Sequence, residues 1–226
     1  MIPNTGVLKA LVLSVVSVAA RESSAQYLPI VPTLQPALEL DDSQIGAWAE
    51  YRAMNGALES KQRLALVGQG PKGYFLEVRV ESPLFQEPVV FRFELPVGNV
   101  KASAQPWIDV MVGRRPPMRV LIPMPPPFPE FLASNALVGQ ERISAGARSF
   151  ATMHYRNEKG GDVFEYWVSR EAPPLGIVRS VKSGSIASEM QLLRLGQGAR
   201  PEIINTPRQV DPAELGLELK QNLRKQ

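Results

Sequence analysis

The chain has 226 residues, 44% hydrophobic and 21% charged, a composition that suits one globular domain with tails and excludes wholesale disorder. Its 25 basic and 22 acidic residues leave a net charge of only +3; the basic residues do not cluster, so no nucleic-acid partner is expected. With no cysteine and a single histidine, disulfides, thiolate metal sites, thiol nucleophiles and cysteine-linked lipids are excluded, and no metal or cofactor is implied.

In chain order, Lys9 precedes an apolar run of eleven residues, 10–20, and small residues follow at Ser23 and Ala25. A basic start, a short apolar stretch and small residues at a cut point are the pattern of a secretory signal, expected over 1–25 with cleavage after Ala25. The run is too short to cross a bilayer, which takes roughly 17–25 apolar residues, so no stable span is expected after cleavage. The expected location is periplasmic or secreted. Residues 26–42 carry Pro29, Pro32 and Pro36, spacing that favours extended backbone and reads as a tether.

From Ser43 the pattern has period two. Segments 48–54, 61–67, 74–81 and 89–95 alternate side chains between two faces. The clearest is 74–81, with Tyr74, Leu76, Val78 and Val80 on one face and Phe75, Glu77, Arg79 and Glu81 on the other. Such alternation marks strands with one buried face, and the short Gly- and Pro-containing connections imply an antiparallel meander. A weaker pair, 107–112 and 119–122, flanks Gly113 to Pro117. Residues 116–129 then hold seven prolines, too many for a helix or a central strand, and predict a stiff extended loop. Residues 130–138 (EFLASNALV) read as a short helix ended by Gly139. Strands resume at 148–156, 162–169, 176–181 and 189–195. Asp211, Pro212 and Glu214 then form a helix start for 212–224, with Leu215, Leu219 and Leu223 along one side.

The predicted architecture is mainly β: eight or so strands in a curved antiparallel sheet or incomplete barrel, with one or two short helices and a C-terminal helix. The β-rich half-barrel spans 43–200, and residues 201–226 are a tail.

Little in this chain points to catalysis. His154 lies mid-strand on the face of Phe150 and Thr152, with no nucleophile motif to serve. Glu77, Glu81, Glu94, Asp162 and Glu165 sit on strands or at their ends, mostly where the alternation points to solvent, so a glycosidase-like acid pair has weak support. The glycine-containing segments GQGPKG and GGD are turns rather than phosphate cradles, and Arg114-Arg115 is a solvated turn. The chain is not expected to be an enzyme. Tyr51, Tyr74, Leu76, Val78, Phe91, Phe93, Tyr155, Phe164 and Tyr166 share one face per strand. They are read either as core or as the lining of a groove for an acyl chain, with Met124, Phe128 and Phe131 in the covering loop.

The segments WAEYR, LALVG, YFLEVRVES, MHYR, DVFEYWVSREAPPLGIVRS and MQLLRLG, in that order, resemble the lipoprotein-carrier (LolA-like) superfamily of periplasmic proteins and related envelope proteins. The resemblance implies a strongly curved, incomplete antiparallel barrel that holds acyl chains on its inner face. The expected function is therefore an exported envelope protein that binds a lipid or a lipoprotein acyl chain. The alternative is an interaction module with a filled core that docks a protein partner through its proline-rich loop.

Overall fold

The structure is a computed structural model, which describes residues 40–96, 107–121, 136–184 and 187–224. The expected signal segment, most of the tether and the loop residues Met124, Phe128 and Phe131 lie outside the described residues.

Alternating side chains build twelve strands: β1 (Trp48–Asn55), β2 (Leu58–Gln69), β3 (Gly73–Glu81), β4 (Val89–Pro96), β5 (Trp107–Val112), β6 (Met118–Leu121), β7 (Ala136–Ala145), β8 (Arg148–Lys159), β9 (Asp162–Val168), β10 (Ile177–Ser183), β11 (Ser188–Gly196) and the two-residue β12 (Arg208–Gln209). They form one curved open sheet in the order β12-β6-β5-β4-β3-β2-β1-β11-β10-β9-β8-β7. The order follows from hairpins alone, apart from two long-range pairings. β11 returns to the free side of β1, and β12 adds in parallel to β6. Among the described residues there is one α-helix, α1 (Pro212–Gln221). Asp211 caps it by accepting from Glu214 N at 2.8 Å, and Pro212 stands in its first turn.

Residues 136–138, expected at the end of a helix, instead open β7. Gly139 sits at a register shift between Leu137 and Gly139 in the β7–β8 pairing, not at a helix terminus. An extra residue on one strand of an antiparallel pair is a bulge, and it hides period-two alternation.

Register fixes two faces. On the inner face, Tyr74, Leu76, Val78 and Val80 of β3 stand opposite Leu95, Phe93, Phe91 and Val89 of β4. Phe91 and Val89 in turn face Val110 and Val112 of β5. These side chains join Leu64 and Leu66 of β2, Phe85, and Leu215 and Leu219 of α1 in one buried cluster. Burying a side chain such as Leu or Phe stabilises by roughly 1.5–3 kcal/mol, so this inner layer dominates the stability of the fold.

The outer face is polar but partly covered. Residues 197–207 run across it as a strap. Ala199 N donates to Gly46 O at 2.9 Å, Glu202 N and Ile203 N donate to Glu77 at 2.7 and 3.1 Å, and Arg92 donates to Ile203 O at 2.7 Å. The chain then pairs with β6, rounds that edge and presents α1 to the inner cluster. Beneath the strap, Asp109 is wholly buried and receives both Arg92 (2.6 Å) and Arg119 (2.7 Å).

Candidate functional site

Tyr51, Tyr74, Leu76, Val78 and Phe91 are buried members of the inner cluster, and Phe93 is half-buried against it. Tyr51 spans the core to donate its hydroxyl to Ile177 O at 2.9 Å, and burial pushes that phenol well above its ordinary pKa. Tyr155, Phe164 and Tyr166 lie elsewhere on the same face, on β8 and β9, and are half-buried.

The pairings place the two sets at different ends of one surface. A single row of directly opposed inner-face residues crosses seven strands: Ser60, Ala53, Met190, Ser180, Tyr166, Tyr155 and Leu137, from β2 to β7. At the usual strand spacing it is roughly 29 Å long. Exposure rises along it. Ser60, Ala53 and Met190 are buried, Ser180 and the two tyrosines are half-buried, and Leu137 at the free edge is 54% exposed, next to Val138 at 56%. In the neighbouring row, Lys182 and Asn157 stand on either side of Phe164.

At the inner end of the row a cleft of about 30 Å³ opens between the β1–β2 hairpin and the β10–β11 pair, lined among others by Asn55, Ser60, Gln62, Ser180 and Ser188. By that measure it has room for one or two waters or one small polar group. Asn55 Oδ1 is buried there without a hydrogen-bond donor in reach. The sequence reading missed this cleft. Ser60 and Gln62 do share the face of Leu64 and Leu66, and polar residues on an otherwise apolar face are the available signal. What brings Ser180 and Ser188 beside them is the long-range β1–β11 pairing, which alternation does not reveal.

The outer face of the same half carries the histidine. His154 stacks on Trp167 with centroids 4.4 Å apart and planes 12° from parallel. Its Nδ1 lies 3.3 Å from Glu141 and its Nε2 3.2 Å from Glu165, the second contact off the line of a hydrogen bond. Trp167 donates to Glu141 at 2.5 Å, and Arg179 lies over the other side of the cluster, 5.0 Å from the indole, while bonded to Glu189. Both ring nitrogens thus face carboxylates, and the group joins β7, β8, β9, β10 and β11.

Of the acids singled out by sequence, Glu77 and Asp162 are buried rather than solvated. Burial pushes the Glu77 carboxyl up against the opposing effect of its two backbone donors and Arg92. Asp162 lies 3.3 Å from Lys182. Among the described residues, no cluster of three or more metal-ligating side chains occurs, and no helix is long and apolar enough to cross a membrane.

No protein-family model matches the chain, and no curated protein does. Several solved structures overlap it in part. PNGF-II is 6% identical over 76% of this chain and 32% of its own, with a TM-score of 0.39. MucB is 15% identical over 73% and 57%, with a TM-score of 0.37. The hypothetical protein CT021 from Chlamydia trachomatis is 11% identical over 73% and 93%, with a TM-score of 0.40. The chain therefore spans less than two thirds of the first two. At TM-scores of 0.40 and below, none of these overlaps bears on what the chain does.

Proposed function

We propose that this chain is a non-enzymatic binding protein, exported to the cell envelope, that holds an apolar guest such as a lipid or a lipoprotein acyl chain on the inner face of strands β7–β10. The observation that carries the reading is the exposure gradient. The inner face of β1–β6 is filled by the protein's own side chains, including those of α1, while the same face at Tyr155, Phe164, Tyr166 and Leu137 stays partly open. Half-open aromatic surface beside exposed aliphatic side chains is the kind of patch that marks a binding site. The export part of the reading rests on the leader-like N-terminus.

Uptake of the uncharged fluorophore N-phenylnaphthylamine by the purified chain tests the proposal. Saturable enhancement is expected, with a loss of at least about tenfold in affinity for Tyr166→Asp, roughly the 1.4 kcal/mol or more of placing a charge in apolar contact. Leu217→Asp on the exposed side of α1 should leave uptake unchanged. No enhancement, or equal loss in both variants, overturns the reading.

A further inference from the structure

The chemistry of the row and its cleft goes one step beyond an apolar guest, and rests on that reading. The row changes character at the seam between β10 and β9. Outward lie Tyr166, Tyr155 and Leu137; inward lie the hydroxyls of Ser180, Ser188 and Ser60 and the amide of Asn55. At the polar end the charges are already paired. Two ionic side chains border it, and each already has a partner: Lys182 meets Asp162 at 3.3 Å, and Glu189, which lines the cleft, meets Arg179 at 2.7 Å.

We infer that the guest is an amphiphile with an uncharged, hydroxyl-bearing head group, its tail lying over Tyr166 and Tyr155 towards Leu137 and one hydroxyl entering the cleft among Asn55, Ser60 and Ser180. Three arguments converge. A second charge brought beside Lys182–Asp162 or Glu189–Arg179 would lose hydration without finding an unpaired counter-charge. The buried Asn55 Oδ1 is an acceptor in want of a donor, which a hydroxyl supplies and a carboxylate or phosphate does not. The cleft, at about 30 Å³, admits one such group and leaves the remainder of the head in water.

Three probes sharing one tail separate the possibilities: dodecyl maltoside, dodecanoate and dodecyltrimethylammonium, each titrated below its micelle threshold into the full chain, with circular dichroism confirming that the fold persists. The maltoside is expected to bind about tenfold or more tighter than either charged probe, a difference of about 1.4 kcal/mol. Ser60→Ala and Ser180→Ala together should erase that preference, with circular dichroism showing that the variant is folded. If the charged probes bind as tightly as the maltoside, or the double variant keeps the preference, the head-group inference is overturned and the apolar-guest reading stands. If free maltose competes as well as the maltoside, the tail has no role and the inference fails. If no probe binds and naphthylamine is not taken up, the apolar-guest reading itself is lost.

Discussion

Strands β1–β6 and strands β7–β10 are written in the same alternation of apolar and polar residues, yet the sheet treats them differently. In the first group the inner face meets α1, and the outer face lies partly under the strap of residues 197–207, so that even the acids Glu77 and Asp109 are buried. In the second group coverage fades along single strands. On β9, Val168 is buried while Tyr166 and Phe164 on the same face are only half-buried, and most of β7 is exposed. The difference teaches that a strand pattern specifies which face is apolar, but not how much of that face is sealed. A third layer decides that, and here the C-terminal tail supplies it to one end of the sheet.

If the comparison is sound, the largest effects belong to the covered half. Asp109→Ala leaves the guanidinium groups of Arg92 and Arg119 facing one another without their shared carboxylate, and breaking a buried ion pair this way costs about 3–5 kcal/mol. Leu76→Ala, in the filled cluster, should cost about 2–5 kcal/mol. Tyr166→Ala in the open half should cost clearly less than either, because its side chain keeps water contact in the native state. Urea midpoints for the three variants order them; a Tyr166 variant as damaging as Leu76→Ala would break the distinction between sealed and open halves.

A smaller effect tests how the open half is held. Gly146, in the β7–β8 turn, has a φ of +57°, and a Cβ there would lie 2.0 Å from Leu193 O on β11. The turn thus leans on β11 beyond Gln191, which pairs with Arg179 of β10. Gly146→Ala must either strain or lift the hairpin, at a cost of about 1–3 kcal/mol. Hydrogen exchange should accelerate in β7 and β8 while β2–β4 stay protected. Uniform acceleration across the sheet would show that the halves do not open separately.

How much of this was legible follows from what each feature depends on. The strands of the meander were readable because their alternation is local, and the helix start was readable because Asp211, Pro212 and Glu214 are neighbours. β7 was not. As an edge strand it meets the core only at its end, through Ile143 and Ala145; its residues Ala136, Leu137 and Val138 lack alternation, and the bulge at Gly139 imitates a helix stop. The burial of Glu77 was equally hidden, since the strap that covers it arrives from more than a hundred residues away. Of the candidate lining, Tyr51, Tyr74, Leu76, Val78, Phe91, Phe93, Tyr155, Phe164 and Tyr166 lie on the inner face. Which of them fill the core and which border water depends on strand order and on the tail.

The mildest prediction contrasts two buried acids of the outer face, Glu50 paired with side-chain cations and Glu77 held by the strap, through pH. Burial pushes Glu50 up, but the hydrogen bonds and charges of Arg194 and Lys61 outweigh it and hold its carboxyl below the ordinary value. Glu77, under the strap, is shifted the other way, with burial prevailing over its backbone donors. A lowered carboxyl adds stability that is present above its unfolded pKa of about 4.3 and disappears as pH falls through the folded value. A raised one has the opposite sign: its contribution is complete below the unfolded pKa and is lost as pH rises through the folded value. Relative to the native chain, Glu50→Gln should therefore be most damaging near neutrality and converge on it in acid. The stability of the native chain relative to Glu77→Gln should instead fall as pH rises. Urea unfolding between about pH 3 and pH 7 measures both slopes. Slopes of the same sign would mean that the strap does not exclude water from Glu77, so that burial does not prevail there over its donors.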